Sequence, residues 1–139
     1  MATTRTATTE WQGTLTEGSG RTTLDSSGLG TFEVTWSSRA EEPEGRTSPE
    51  ELIAAAHASC FSMAFSARLA KEGATAPSLR TTAEVDFQPG EGITGIRLHA
   101  TGHADGVSDE RFRELAEDAK QNCPVSQALK AVPISLTVG

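Results

Sequence analysis

Tyrosine is absent from this chain, and only five phenylalanines and two tryptophans stand among its 139 residues. Large groups for a hydrophobic interior are scarce, and alanine takes their place. Small side chains let backbones approach closely and can leave a chain reliant on a partner subunit. Basic residues are equally thin: the net charge is −7 and no Lys/Arg cluster occurs. Nucleic acid affinity comes from cations neutralising phosphates, so DNA, RNA and anionic membrane surfaces are set aside as partners. The N-terminus, MATTRTATT, lacks the apolar run of a secretory signal. Cysteine occurs twice, with 62 residues between Cys60 and Cys123, and there is neither a CxxC nor a Cys/His cluster at zinc spacing. No metal or cofactor is expected. The expected compartment is cytoplasmic and reducing, where a structural disulfide is disfavoured and a transient redox pair fits better.

What is present reads as one domain over residues 1–139, with residues 1–9 expected to be flexible. Glu10–Glu17, Arg21–Ser26 and Thr31–Ser38 read as three strands of an antiparallel meander, followed by a charged loop, Arg39–Arg46. Ser48-Pro49-Glu50-Glu51 is the clearest local signal. Ser48 is an N-cap, Pro49 takes the first helical position and Glu51 closes a capping box. The helix extends to about Lys71, with Gly73 placed to end it. It contains the one long apolar stretch, Leu52–Ala70, which is interrupted by His57, Ser59, Cys60, Ser62, Ser66 and Arg68. A bilayer span needs about 20 strongly apolar residues, so this segment reads as a buried helix of a soluble protein. Leu79–Gln88 and Ile93–Ala104 form a hairpin around Pro89-Gly90. Ser108 caps a second helix, Pro124 opens a short third one to about Ala131, and Val132–Val138 is a last strand. The expectation is α+β, with an antiparallel sheet packed on a long central buried helix.

Five residues could carry chemistry, and each has a plain structural reading beside the functional one. Cys60 lies in the apolar helix, where a small buried hydrophobe is the commoner fate. Cys123 sits at a helix mouth, whose free N–H groups favour a thiolate; Ser, Thr, Asp or Asn would cap better. Glu50 is not needed for capping, since Glu51 fills that position; it is a dipole carboxylate or the partner of a cation. Arg39 is a surface arginine or that cation. His57, one turn before Cys60 on the same helical face, is a hydrogen-bonded core histidine or the base of a Cys–His pair.

The run from Arg46 through Pro49-Glu50-Glu51 and Ala55-Ala56-His57-Ala58-Ser59-Cys60 to Ala64 resembles the signature helix of the OsmC/Ohr family, the osmotically inducible and organic hydroperoxide resistance proteins. Asn122-Cys123-Pro124-Val125-Ser126-Gln127-Ala128-Leu129-Lys130 resembles its second motif. The resemblance covers nearly the whole chain. It implies an intertwined homodimer with active sites at the subunit interface, and a peroxidase that prefers organic hydroperoxides and takes electrons from a dithiol or a lipoylated protein. By position Cys60 matches the attacking cysteine, Cys123 the resolving one and Glu50 the family glutamate. Ohr-type proteins carry the arginine in an early Gly-Arg loop, where this chain has the poor match Gly18-Ser19-Gly20-Arg21. OsmC-type proteins carry it after the third strand, at Ser38-Arg39-Ala40. Arg39 and the OsmC branch are therefore expected, with Arg21 as the fallback. Apolar walls from Phe61, Met63 and Phe65 are expected to favour an organic substrate.

Helix geometry adds an independent expectation. Glu50 and Cys60 are ten residues apart on one helix, about 15 Å along its axis. One arginine held by Glu50 cannot serve the cysteine of the same helix. Antiparallel packing of two such helices across a two-fold axis would bring Glu50 of one chain to Cys60 of the other. Two other classes remain open on the residues alone. One is a cysteine hydrolase or transferase using Cys60 and His57, and the other is a non-catalytic redox sensor.

Overall fold

The computed structural model describes residues 1–139. The chain divides into two compact units, Met1–Leu52 and Ile53–Gly139.

The first unit holds a three-stranded antiparallel sheet in the order β1 (Thr8–Gln12), β2 (Ser19–Thr23), β3 (Thr31–Val34). β1 begins at Thr8, and the Thr6 N–H donates to Ser26 Oγ at 2.6 Å. The third strand ends at Val34. Residues read as its continuation turn instead into a short helix, α1 (Trp36–Ala40). Thr35 and Ser38 form a capping box: the Ser38 N–H donates to Thr35 Oγ1 and the Thr35 N–H to Ser38 Oγ, both at 3.0 Å. These two reciprocal bonds satisfy donors that a strand would have paired elsewhere. Arg39, expected in a loop, therefore lies on a helix. No hydrophobic side chain of Met1–Leu52 is buried; Trp11, Leu15, Leu29 and Phe32 are exposed.

The long helix α2 spans Pro49–Lys71. Ser48 Oγ accepts from the Glu51 N–H at 3.1 Å, as a cap should. The Glu51 carboxylate takes the Thr47 hydroxyl at 2.5 Å rather than closing the box on Ser48. At the far end Gly73, at φ +84°, lets the Ala74 N–H reach the Leu69 carbonyl and the Gly73 N–H the Ala70 carbonyl. That is the Schellman stop, which requires the left-handed region. By length and composition α2 could cross a membrane. Its His57, Phe61, Phe65 and Leu69 stripe is instead fully buried in the second unit.

The second unit adds β4 (Thr75–Gln88), β5 (Gly92–Asp105), α3 (Asp109–Asn122), α4 (Pro124–Ala128) and β6 (Ile134–Val138). β4 and β5 form the expected long hairpin. β6 pairs with β5 in parallel, from Ile96↔Ile134 to Ala100↔Val138. The α+β class holds, but the single antiparallel sheet becomes two sheets, one of them mixed. Helices α3 and α4 provide the crossover that a parallel pair needs.

The core lies here. Phe65 meets Phe61 at 5.7 Å and Phe112 at 4.8 Å between ring centroids, both tilted, within the favourable range for aromatic pairs. Leu69, Leu98, Ala100, Leu115 and Ala119 close around them. Phe65→Ala is expected to cost about 3–5 kcal/mol, the usual loss for a fully buried aromatic. A chemical denaturation midpoint equal to that of the parent would contradict this packing. Phe61 and Phe65 are committed to the core, so the expectation that they wall a substrate pocket is corrected. Met63 faces outward, 72% exposed.

Candidate active site

Two constellations hold the chemistry-bearing residues, one in each unit.

The first is an arginine–carboxylate fork. Ser38 Oγ donates to the Thr47 carbonyl at 2.9 Å, tying α1 to the residue before the α2 N-cap. The bulky side chain on the next residue, Arg39, then meets the first turn of α2. Arg39 Nε donates to Glu50 Oε1 at 3.0 Å and Nη2 to Oε2 at 2.9 Å. Such bidentate pairs fix the plane of the guanidinium as well as its distance. The Glu50 side chain is 8% exposed and that of Arg39 31% exposed. Glu50 was expected to hold a cation, and Arg39 is the one it holds. Arg21, the fallback, lies on β2 opposite Glu10 and Glu33 and is exposed.

Beside the fork is a groove of about 350 Å³, lined by Trp11, Leu15, Val34, Trp36, Leu52 and Arg39 among others. The two tryptophans, Trp11 and Trp36, are walls of this groove. Composition gave no hint of it, because the groove depends on β1, β3 and α1 lying together.

The second constellation is a thiol pair. Cys60 and Cys123 are both free, Cys60 half-buried and Cys123 fully buried. Cys60 packs against the core cluster that contains Cys123. Burial pushes the Cys60 thiol up, and the neighbouring Cys123 pushes it further the same way. Burial also opposes the Cys123 anion, but it is outweighed there. The Ser126 N–H, the Cys60 thiol, the Ser126 hydroxyl and the Val125 N–H together hold Cys123 below its ordinary value. Cys123 makes no side-chain cap hydrogen bond at α4. The two thiols titrate as a pair, Cys60 held above its ordinary value and Cys123 below it.

His57 was weighed as a base for Cys60. Its Nε2 instead lies 2.7 Å from Ser126 Oγ, and its Nδ1 has no hydrogen-bond partner. Burial holds the imidazole below its ordinary value, so it is neutral at pH 7. A hydrolase built on a Cys60–His57 pair therefore lacks its base. The Ser126 contact spans 69 positions, and no local pattern reveals a pairing at that separation.

Residues 41–137 match the family described as OsmC-like protein. The chain belongs to the OsmC-like protein family. It is 40% identical over 124 residues to the peroxiredoxin OsmC of Escherichia coli strain K12, covering 87% of this chain and 86% of that one. Among solved structures it is similar to an organic hydroperoxide resistance protein OsmC from Legionella pneumophila, at 26% identity and TM-score 0.65 over 96% of each chain. An organic hydroperoxide resistance protein from Elizabethkingia anophelis gives 25% identity and TM-score 0.67, over 100% of this chain and 99% of that one. The expected family and fold are thus established. In this OsmC-like chain the family match contains Glu50, Cys60 and Cys123 and begins two residues beyond Arg39.

Proposed function

We propose that this OsmC-like protein is a cysteine-based peroxidase that reduces organic hydroperoxides, with Cys60 as nucleophile and Cys123 as resolving thiol. The observation that carries the reading is a half-buried free thiol packed on the cluster that holds a fully buried one, in a chain 40% identical to a peroxiredoxin. The Cys60 thiolate attacks the outer peroxide oxygen. The O–O bond breaks, the alkoxide leaves and takes a proton, and Cys60 becomes a sulfenic acid. Cys123 then attacks that sulfur, water departs, and the disulfide closes. An external dithiol or lipoylated protein returns both thiols.

The first step needs the negative charge on Cys60, whereas the second unit alone favours it on Cys123. A guanidinium beside Cys60 would reverse that order and would also stabilise the departing alkoxide. Arg39, clamped by Glu50 and partly exposed, is suited to the task. The helical spacing of Glu50 and Cys60 supports pairing Arg39 with the Cys60 of a second chain, and the proposed working unit is a homodimer in which residues 1–139 act as one domain. Two features support a partner: a sheet without buried hydrophobic side chains and an outward-facing Met63 on an apolar helix. The groove beside Arg39 has apolar walls that suit the alkyl part of a hydroperoxide. Cytoplasmic residence suits two free thiols recycled by dithiols. Protection against peroxide stress would follow from the turnover.

The test is a thiol count and a turnover assay. One equivalent of tert-butyl or cumyl hydroperoxide is expected to consume both thiols together, reversibly by a dithiol, with catalytic turnover. Slow stoichiometric oxidation without turnover would mark a sensor instead. Cys123→Ser is expected to lose dithiol-supported turnover and to advance to sulfinic acid at Cys60 within a few cycles, seen by intact mass. Sustained turnover by that variant would exclude Cys123 as the resolving group.

A further inference from the structure

The two thiols sit on different elements, and their bonding depends on how those elements are held together. A disulfide closes only when the two Cα atoms stand about 4.4–6.8 Å apart with the side chains aimed at each other. Cys60 is fixed on the long helix α2, whereas Cys123 starts the short helix α4. Five residues are too few to be helical alone, and Cys123 gives α4 no side-chain cap bond. Val125 packs against the core, but apolar contact is non-directional. Elsewhere α2 has polar ties to its unit. The Ser62 hydroxyl donates to Thr81 Oγ1 of β4 at 2.8 Å, and Arg68 lies 2.7 Å from Asp118 of α3. The tie to α4 is His57 Nε2 to Ser126 Oγ, 2.7 Å long and fully inside the protein, with these residues 0% and 5% exposed. His57 comes three residues before Cys60 and Ser126 three residues after Cys123. One buried bond thus joins the turn that leads into Cys60 to the turn that leads out of Cys123. Its direction follows from Nδ1, which is buried without a partner. A proton there would be an orphaned donor, so the proton sits on Nε2 and is donated to Ser126 Oγ.

We infer that His57 and Ser126 are positioning residues: their buried hydrogen bond braces α4 against α2 and so holds Cys123 in place to close the disulfide with Cys60. The brace acts on the second chemical step. There the Cys123 sulfur bonds to the Cys60 sulfur, the S–O bond of the sulfenic acid breaks, and the departing hydroxide leaves as water with the Cys123 proton. Attack of Cys60 on the peroxide needs only α2 and is indifferent to where α4 stands.

This inference rests on the peroxidase reading for its consequence, but the brace itself is tested without peroxide. The reduced protein is equilibrated with mixtures of oxidised and reduced glutathione, and the Cys60–Cys123 disulfide is counted by mass. Ser126→Ala is expected to make the disulfide about fivefold less favoured, the worth of one ordinary hydrogen bond. Ser126→Thr keeps the hydroxyl and should match the parent. The decisive variant is the double one, His57→Leu with Ser126→Ala. Ser126→Ala alone strands the imidazole N–H, whereas the double change strands nothing and should melt closer to the parent. A brace predicts that the double variant regains stability but still shows the fivefold loss, with no further loss because both changes remove the same bond. In single turnovers with cumyl hydroperoxide, the double variant should close the disulfide about fivefold more slowly, with sulfenic acid formation at the parent rate. A double variant that regains the parent's glutathione equilibrium would show a merely structural pair and overturn the inference. So would losses that multiply to about twenty-fivefold, or equal slowing of both chemical steps. If the equilibrium shifts as expected but the parent turns over no hydroperoxide, the brace stands and the peroxidase reading falls.

Discussion

Cys60→Ser is expected to abolish hydroperoxide turnover, by at least about a thousandfold, because a hydroxyl cannot replace a thiolate as nucleophile toward peroxide oxygen. The size of the effect follows from the proposed division of labour. Cys60 is the half-exposed sulfur of the pair, and Cys123 is fully buried. Removing the accessible one leaves a thiol with the more stable anion but no route for substrate to reach it. Fold should be little affected, since serine differs by one atom at a position that is not fully buried. The measurement is steady-state reduction of cumyl hydroperoxide with a dithiol in excess, together with far-ultraviolet dichroism to confirm the fold. Residual activity above a few per cent would mean that Cys123 can itself act as the peroxidatic group, and the assignment of roles would have to be exchanged.

The second large effect concerns the fork. Arg39→Ala should lower the rate of sulfenic acid formation by about a hundredfold or more, the loss seen when a positioned charge at a developing anion is removed. It also leaves Glu50 as a buried carboxylate without its bidentate partner, so a stability cost of about 1–3 kcal/mol accompanies the kinetic one. The informative form of the experiment mixes two inactive chains. Arg39→Ala supplies an intact Cys60, and Cys60→Ser supplies an intact Arg39. If the site is composite and the dimers exchange at random, half are mixed and one of their two sites is complete. About a quarter of the parent activity is then regained. If Arg39 serves the cysteine of its own chain, mixing restores nothing, and the two-chain site is disproved while the peroxidase reading survives.

These expectations draw unevenly on sequence and structure. The α2 helix was legible to the residue at both ends, because Ser48-Pro49 and Gly73 act through local backbone chemistry. The β4–β5 hairpin was legible for the same reason, through its Pro89-Gly90 turn. The short helix α1 was not. Its residues continue an alternating run that reads as strand, and only the mutual bonds of Thr35 and Ser38 divert it. The parallel pairing of β6 with β5 depends on where α3 and α4 return the chain, which no window of sequence contains. At the site, the acid near α2 was readable as surplus to capping. Its partner Arg39 was chosen by family resemblance, and the contact with Arg39 is a structural finding. The resemblance likewise pointed to the cysteine pair, whereas the Ser126 contact of His57 is tertiary throughout. The misreading of Phe61 and Phe65 has a simple cause. Helical periodicity shows that they share a face with Cys60's neighbours, but not whether that face looks into a pocket or into the core.

The unequal exposure of the two sulfurs also gives the recycling reaction a polarity. In the proposed disulfide the Cys60 end would face solvent and the Cys123 end would be hidden. An incoming reductant thiolate would then be expected to attack at Cys60, forming the mixed disulfide there and expelling Cys123. Expulsion is faster for a sulfur that bears its charge comfortably, and the amides and hydroxyl of α4 give Cys123 that character. The surroundings that hold the Cys123 thiol below its ordinary value would thus also favour its departure when the proposed bridge is opened.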